Sequence, residues 1–205
     1  MIGTGAYSPS KALVSSNERQ SGEDYTAMER RVWKERIHTN SKGEVVLPIF
    51  GIKAMLDSTA SYLGMKVQGG GKRTYTKIFA AGIVLLGEGP KLLVDGKPLN
   101  IKDITEDKFG EWVFCSSDGK KNSVGGKVNR LFALFNNWST DEFELETIDT
   151  RISTEVLEQH LVAAGKFNGI GRFRPQNGGC HGRFNVLING KSPSASDLII
   201  PDEAD

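Results

Sequence analysis

The chain has 205 residues, 38% of them hydrophobic, which is enough for one sizeable core without help from disulfides or metal. Its 26 basic and 25 acidic residues leave a formal net charge of +1, which excludes a polycation held to nucleic acid by bulk charge alone. Cys115 and Cys180 stand far apart, against both a secreted disulfide framework and a zinc site of paired cysteines. In chain order, the first strand is expected at 12–16. An amphipathic helical insertion follows at 23–36, with Tyr25, Met28, Val32 and Trp33 on its packing face. A strand at 45–47 precedes a helix at 51–63, where Ile52, Met55, Leu56, Ala60 and Leu63 recur at helical spacing and Gly64 is a natural stop. Further strands are expected at 76–86, 110–116, 127–135 and 142–149, each rich in branched or aromatic residues. Ser153 reads as the N-cap of a second helix that puts Val156, Leu157, His160, Leu161 and Ala164 on one face and stops at Gly165. A last strand is expected at 182–189, then a loose acidic tail, 192–205, with Pro193 and Pro201.

Two strand-helix-strand passages with a hairpin-like insertion between them outline an α+β protein. The expected architecture is a ferredoxin-like (RRM-like) β-α-β repeat with an antiparallel sheet, as a single domain over 1–191 with insertions at about 17–44 and 87–135. The longest apolar run, 78–86, contains Gly82 and is too short to cross a bilayer, and the N-terminus lacks a basic-then-apolar signal pattern. The expectation is a cytoplasmic protein with no membrane partner.

The charges are unevenly spread. No Asp or Glu occurs from Gln159 to Ser196, where Lys166, Arg172, Arg174, Arg183 and Lys191 fall. Two shorter acid-free stretches hold Lys66, Lys72, Arg73 and Lys77, and Lys120, Lys121, Lys127 and Arg130. Carboxylates gather instead in 141–158 and in the tail, so a basic side and an acidic side are expected. The candidate nucleic-acid-binding residues are therefore Lys72, Arg73, Lys77, Lys127, Arg130, Arg172, Arg174, His181 and Arg183.

The segment 165–184 reads Gly-Lys-Phe-Asn-Gly-Ile-Gly-Arg-Phe-Arg-Pro-Gln-Asn-Gly-Gly-Cys-His-Gly-Arg-Phe. If 172–174 is extended, Arg172 and Arg174 project to one side and Phe173 to the other. Gly169, Gly171, Gly178, Gly179 and Gly182 let a backbone fold tightly and approach another chain, as a loop gripping a sugar-phosphate backbone must. Arginine donates two parallel hydrogen bonds to phosphate, and Phe173, His181 and Phe184 offer stacking faces for bases. The competing reading is a long connection whose glycines are turns and whose arginines are solvated or pair with the 141–158 acids. No Gly-Lys-Ser/Thr end follows, so this is not a nucleotide-hydrolase phosphate loop.

A glycine-rich loop between the last helix and last strand of a ferredoxin-like domain is the hallmark of the RAMP superfamily, the repeat-associated proteins of CRISPR effector complexes, and 169–184 resembles that loop. The segment Leu47-Pro48-Ile49-Phe50-Gly51-Ile52-Lys53 is similar to the family's proline-glycine entry into the first helix. The resemblance covers about 45–188. It implies an RNA-binding backbone subunit that polymerises along a guide RNA, with the 23–36 and 87–135 insertions as a thumb over the strand. The chain departs from the family in its shortness and in Ile49-Phe50, where small polar residues are commoner, which leaves room for a viral or mobile-element relative.

Some RAMP relatives cut RNA without metal, using a histidine. Here His160 lies on an apolar helix face, His38 is expected to be exposed, and His181 alone has a catalytic setting, with no second acid or base near it in sequence. Asp24 is a loop carboxylate that nothing singles out. No two histidines share a short spacing, and the 141–158 carboxylates alternate with Phe143 and Leu145 as a solvated strand face would, so neither metal nor cofactor is expected. The expected function is non-catalytic binding of RNA or single-stranded DNA, as a homo-oligomer or as a subunit of a larger nucleoprotein complex. The alternatives are a docking or decoy module that mimics a CRISPR effector subunit and a metal-independent ribonuclease. For docking, Trp33, Trp112 and Trp138 are the candidate anchors, at least two of them expected in the core.

Overall fold

The computed structural model describes residues 1–13, 19–116 and 126–193. Their architecture is α+β. Strand β1, Ile2–Gly3, opens the chain, and helix α1, Tyr25–Val32, runs into a 3-10 turn, Trp33–Arg36. Helix α2, Ile49–Leu63, is followed by α3, Thr76–Gly82, and by strands β2, Ile83–Leu85, β3, Leu92–Val94, and β4, Lys97–Pro98. A short helix α4, Glu106–Phe109, leads into the long strands β5, Gly110–Ser116, and β6, Lys127–Ala133. Strands β7, Trp138–Thr140, and β8, Leu145–Thr147, precede helix α5, Thr154–Ala163, and the short strand β9, Phe184–Asn185, comes last.

Five strands form one antiparallel sheet in the order β4–β3–β7–β1–β9. β2 and β8 make a separate two-stranded ribbon, as do β5 and β6, whose register runs from Gly110↔Ala133 to Ser116↔Lys127. Ile52, Met55, Leu56 and Ala60 of α2 are buried in the same core cluster as Leu92 of β3, Trp138 of β7 and Phe184 of β9. This spacing is the helical apolar stripe, and each fully buried Leu or Ile in it contributes about 1.5–3 kcal/mol.

Local chemistry sets the ends of the main helices. Pro48, extended and unable to donate, precedes α2, and Gly64 ends it in the left-handed region at φ +56°. Lys53, one turn into α2, pairs with Asp57 and donates to the carbonyls of Phe79 and Ala80 at 3.2 and 3.0 Å, so it closes the C-terminal end of α3. The lysine that carries part of the family resemblance thus spends its hydrogen bonds inside the protein. Ser153 caps α5 by accepting from the Val156 amide at 3.3 Å.

Several expectations need correction. Residues 76–82, expected as strand, are helix: Ile78, Phe79 and Gly82 are the buried positions, a spacing that a short apolar run shares between the two states. The 45–47 segment makes only isolated bridges, through Val45 to Thr39 and Val46 to Lys91. The first strand is Ile2–Gly3 rather than 12–16, of which 14–16 lie outside the described residues. The second helix does not stop at Gly165 but continues as one π turn, Ala164–Asn168. His38 is half-buried. Asp24 is the N-cap of α1, accepting from the Ala27 amide at 2.7 Å. Lys120, Lys121 and nearly all of the 192–205 tail lie outside the described residues. As expected, Trp33 and Trp138 are core residues and His160 is fully buried.

Candidate nucleic-acid interface

The glycine-rich segment is not extended. Arg172 and Phe173 occupy a turn, a 3-10 turn Pro175–Asn177 follows, and the loop is stitched to the stretch just after β1. The amide of Arg172 donates to the Ser8 carbonyl at 2.8 Å, that of Gly182 to Ala6 at 2.6 Å, and that of Ile170 to Gly182 at 2.9 Å. This corrects the expected division of Arg172 and Arg174 from Phe173 across an extended strand. It also changes the reading of the glycines. A Cβ on Gly182 would lie 1.9 Å from the Ile170 carbonyl oxygen, and one on Gly165 2.0 Å from that of Phe184. The close backbone approach that these glycines permit is to the protein's own chain.

That self-packed loop holds its arginines firmly. Arg172 donates from Nε to the Pro9 carbonyl at 3.3 Å and lays its guanidinium 4.6 Å from the centre of the Phe132 ring. Arg174 turns back to the Gly171 carbonyl, 3.0 Å, and to Gln176, 3.1 Å, and Gln176 in turn reaches Ser58 of α2. Arg183, exposed, donates to the Lys166 carbonyl at 3.1 Å. None of the three pairs with a described carboxylate, the 141–158 acids included.

Opposite the loop stands the β5–β6 hairpin. Directly paired residues of an antiparallel ribbon share a face, so Cys115, Arg130 and Phe132 lie on one side, and Phe114 and Lys127 on the other. The first side meets the loop: Phe132 contacts Phe173 edge-on at 5.4 Å, and Phe173 contacts His181 at 6.0 Å. Arg36 reaches the same Phe132 ring at 5.2 Å. The structure thus brings Arg130, Arg172 and His181 to one junction, with Arg174 and Arg183 on the adjoining loop. Lys127, the first residue of β6, lies on the other face, 5.9 Å from the exposed Phe114 ring. Lys72 and Arg73 lie exposed on the turn after α2, and Lys77 lies exposed on α3.

Arg36 is neutralised by Glu29, which takes two guanidinium hydrogen bonds at 2.7 and 3.0 Å and also accepts from the Leu131 amide at 3.1 Å. Among the described residues Arg172 has no such partner. Burial and the nearby Arg36 and Arg130 charges pull its pKa below the ordinary arginine value, opposed only by Cys115. A cation held in this state gains more from an incoming anion than a solvated one does.

Sequence reasoning missed Arg36 and Phe132. Arg36 carried a faint signal, a basic residue three positions after Trp33 at the end of an amphipathic helix, but nothing local tied it to β6. His181 has Cys180 Sγ 3.7 Å from Nδ1 and no hydrogen bond or ion pair to a carboxylate among the described residues. Those residues also contain no cluster of three metal-ligating side chains, and no helix among them is long and apolar enough to cross a membrane.

No family model matches the chain, and neither a curated protein nor a solved structure does.

Proposed function

We propose that this chain binds RNA or single-stranded DNA through the sugar-phosphate backbone, without catalysing a reaction, and serves as a repeating subunit of a nucleoprotein assembly. The observation that carries the reading is Arg172: a half-buried guanidinium, stacked on Phe132 and beside two further arginines, with no carboxylate partner among the described residues. A phosphate supplies the missing anion, accepting from the terminal amino groups, while Phe173 and His181 at the rim offer faces for stacking. Arg174 and Arg183 extend the positive surface along the loop, Lys127 adds a cation on the other face of the β5–β6 ribbon, and Lys72, Arg73 and Lys77 are exposed cations on the turn after α2 and on α3.

The strand order supports a ferredoxin-like, RAMP-type reading of the fold. In the run β9–β1–β7–β3, the first strand lies between the last and the third in that scheme, and the two passages that return to the sheet carry α2 and α5. On this reading β4, the β2–β8 ribbon and the β5–β6 hairpin are additions, the hairpin being the thumb over the bound strand.

The test is a titration of labelled single-stranded oligonucleotides, ribo and deoxyribo, by fluorescence anisotropy at several salt concentrations. Saturable binding that weakens linearly in log-log form with salt, and is lost on Arg172→Ala/Arg130→Ala in a folded protein, is the expected result. Indifference to both oligonucleotides overturns the reading.

A further inference from the structure

Helix α2 and the π turn that ends α5 share an aromatic contact that the proposed phosphate contacts leave unused. Tyr62 stands in the last turn of α2 and Phe167 in the π turn, Ala164–Asn168, and their rings meet at 5.7 Å with planes 39° apart. Phe167 is half-buried, whereas Tyr62 is 64% exposed and leaves most of its ring to solvent. A π turn is rare and is found mostly at functional sites.

Three cations lie around the pair. Lys166, exposed, immediately precedes Phe167. Arg183 donates from Nε to the Lys166 carbonyl, its one hydrogen bond among the described residues, so its terminal amino groups are left for another acceptor. Arg174 is tied to the same face of α2 through Gln176, which takes the arginine Nε and itself donates to Ser58, one turn before Tyr62. None of the three cations pairs with a described carboxylate.

Charge decides what fits here. An apolar segment of a partner protein laid on the tyrosine would take unpaired cations out of water, which is costly. A nucleotide brings its own anion beside its ring, so the base stacks on the aromatic face while the flanking phosphates take the guanidinium and ammonium groups. The site also continues the interface already described, because Arg174 follows Arg172 by two residues on one loop and bonds back to the Gly171 carbonyl.

We propose that Tyr62, backed by Phe167, is a nucleobase-stacking platform, with Lys166, Arg174 and Arg183 holding the phosphates on either side of the stacked base. The inference rests on the single-strand-binding reading and adds a particular base contact to it. Every base has a π face, so the platform accepts any sequence.

Tyr62→Ala and Tyr62→Trp, changes at an exposed position, test this by titration at several salt concentrations against oligo(U), oligo(dT) and an abasic deoxyribose-phosphate strand of equal length. The expected result in Tyr62→Ala is a loss of at least about fivefold in affinity for the base-bearing strands, with the salt slope unchanged and no loss on the abasic strand. Tyr62→Trp should restore the affinity. A loss confined to oligo(U) or to oligo(dT) keeps the platform and assigns it to that sugar. Wild-type affinity in Tyr62→Ala overturns the proposal, and so does an equal loss on the abasic strand, which would mark damage to the fold or to phosphate contacts. Wild-type protein that binds none of the three strands overturns the single-strand reading itself, and this platform with it.

Discussion

Arg172 and Phe132 meet at 4.6 Å across the junction of the glycine-rich loop and the β5–β6 hairpin, forty residues apart in sequence. The ring holds the guanidinium, and the Pro9 carbonyl takes Nε, while the terminal amino groups have no protein acceptor among the described residues.

Arg172→Ala is expected to weaken single-strand binding by at least about tenfold, since one hydrogen bond to a charged group contributes roughly 1.5–3 kcal/mol net of solvent exchange. The salt slope should fall by about 0.7 for the lost phosphate contact. Arg172→Lys keeps the charge but not the planar stack, so it should recover the slope and only part of the affinity. Anisotropy titrations across a salt series separate the two, and unchanged slopes in both variants count against phosphate contact by this residue.

Glu29→Gln should cost about 3–5 kcal/mol of stability, because it leaves Arg36 charged in a site where the two side chains are only 0% and 4% exposed. Glu29 also accepts from the Leu131 amide, so its loss loosens the root of the hairpin as well as the 3-10 turn. Urea denaturation reads the loss. Replacing Glu29 and Arg36 together by apolar residues should recover part of it.

Gly182→Ala combines a left-handed backbone, φ +76°, with a Cβ placed 1.9 Å from a carbonyl oxygen, and should destabilise by at least about 2 kcal/mol. Gly190→Ala, at φ +74° but with nothing within 4 Å, carries only the conformational cost of about 1 kcal/mol. Thermal unfolding of the pair isolates steric contact from backbone strain, and equal losses would show that the loop tolerates the shift.

His160 is buried against Phe79, ring centres 4.0 Å apart, and burial lowers its pKa below 6.5, partly offset by its hydrogen bond to the Val156 carbonyl. The unfolded chain therefore binds a proton that the folded one refuses, and stability falls as pH drops below about 6.5. His38, lowered by burial and by Lys11, adds a loss of the same sign. His160→Phe should flatten the pH dependence of the unfolding midpoint between pH 6.5 and 5. An identical slope in the variant would assign that dependence to other groups.

Much of the frame was legible because it is written locally. The apolar stripe and Gly64 place α2, Ser153 places the start of α5, and the alternating aromatic and branched residues place β5 to the residue. Thr76–Gly82 was misread because its apolar run is too short to separate period two from period 3.6. The two-residue strands β1 and β9 exist through their partners: Ile2 pairs with both Ser139 and Asn185, and no window that short holds a pattern.

The sequence by itself determined the acid-free basic segment, its place between α5 and the last strand, and the α+β class, because composition, caps and periodicity act within a few residues of one another. Only the tertiary structure decided what the segment does with those residues. It turned the glycines toward the protein's own backbone, drew Arg36 and Phe132 in from elsewhere in the chain, and left Arg172 without an acid among the described residues. Such contacts depend on which strand edges and faces meet, a matter of long-range packing that no local pattern encodes.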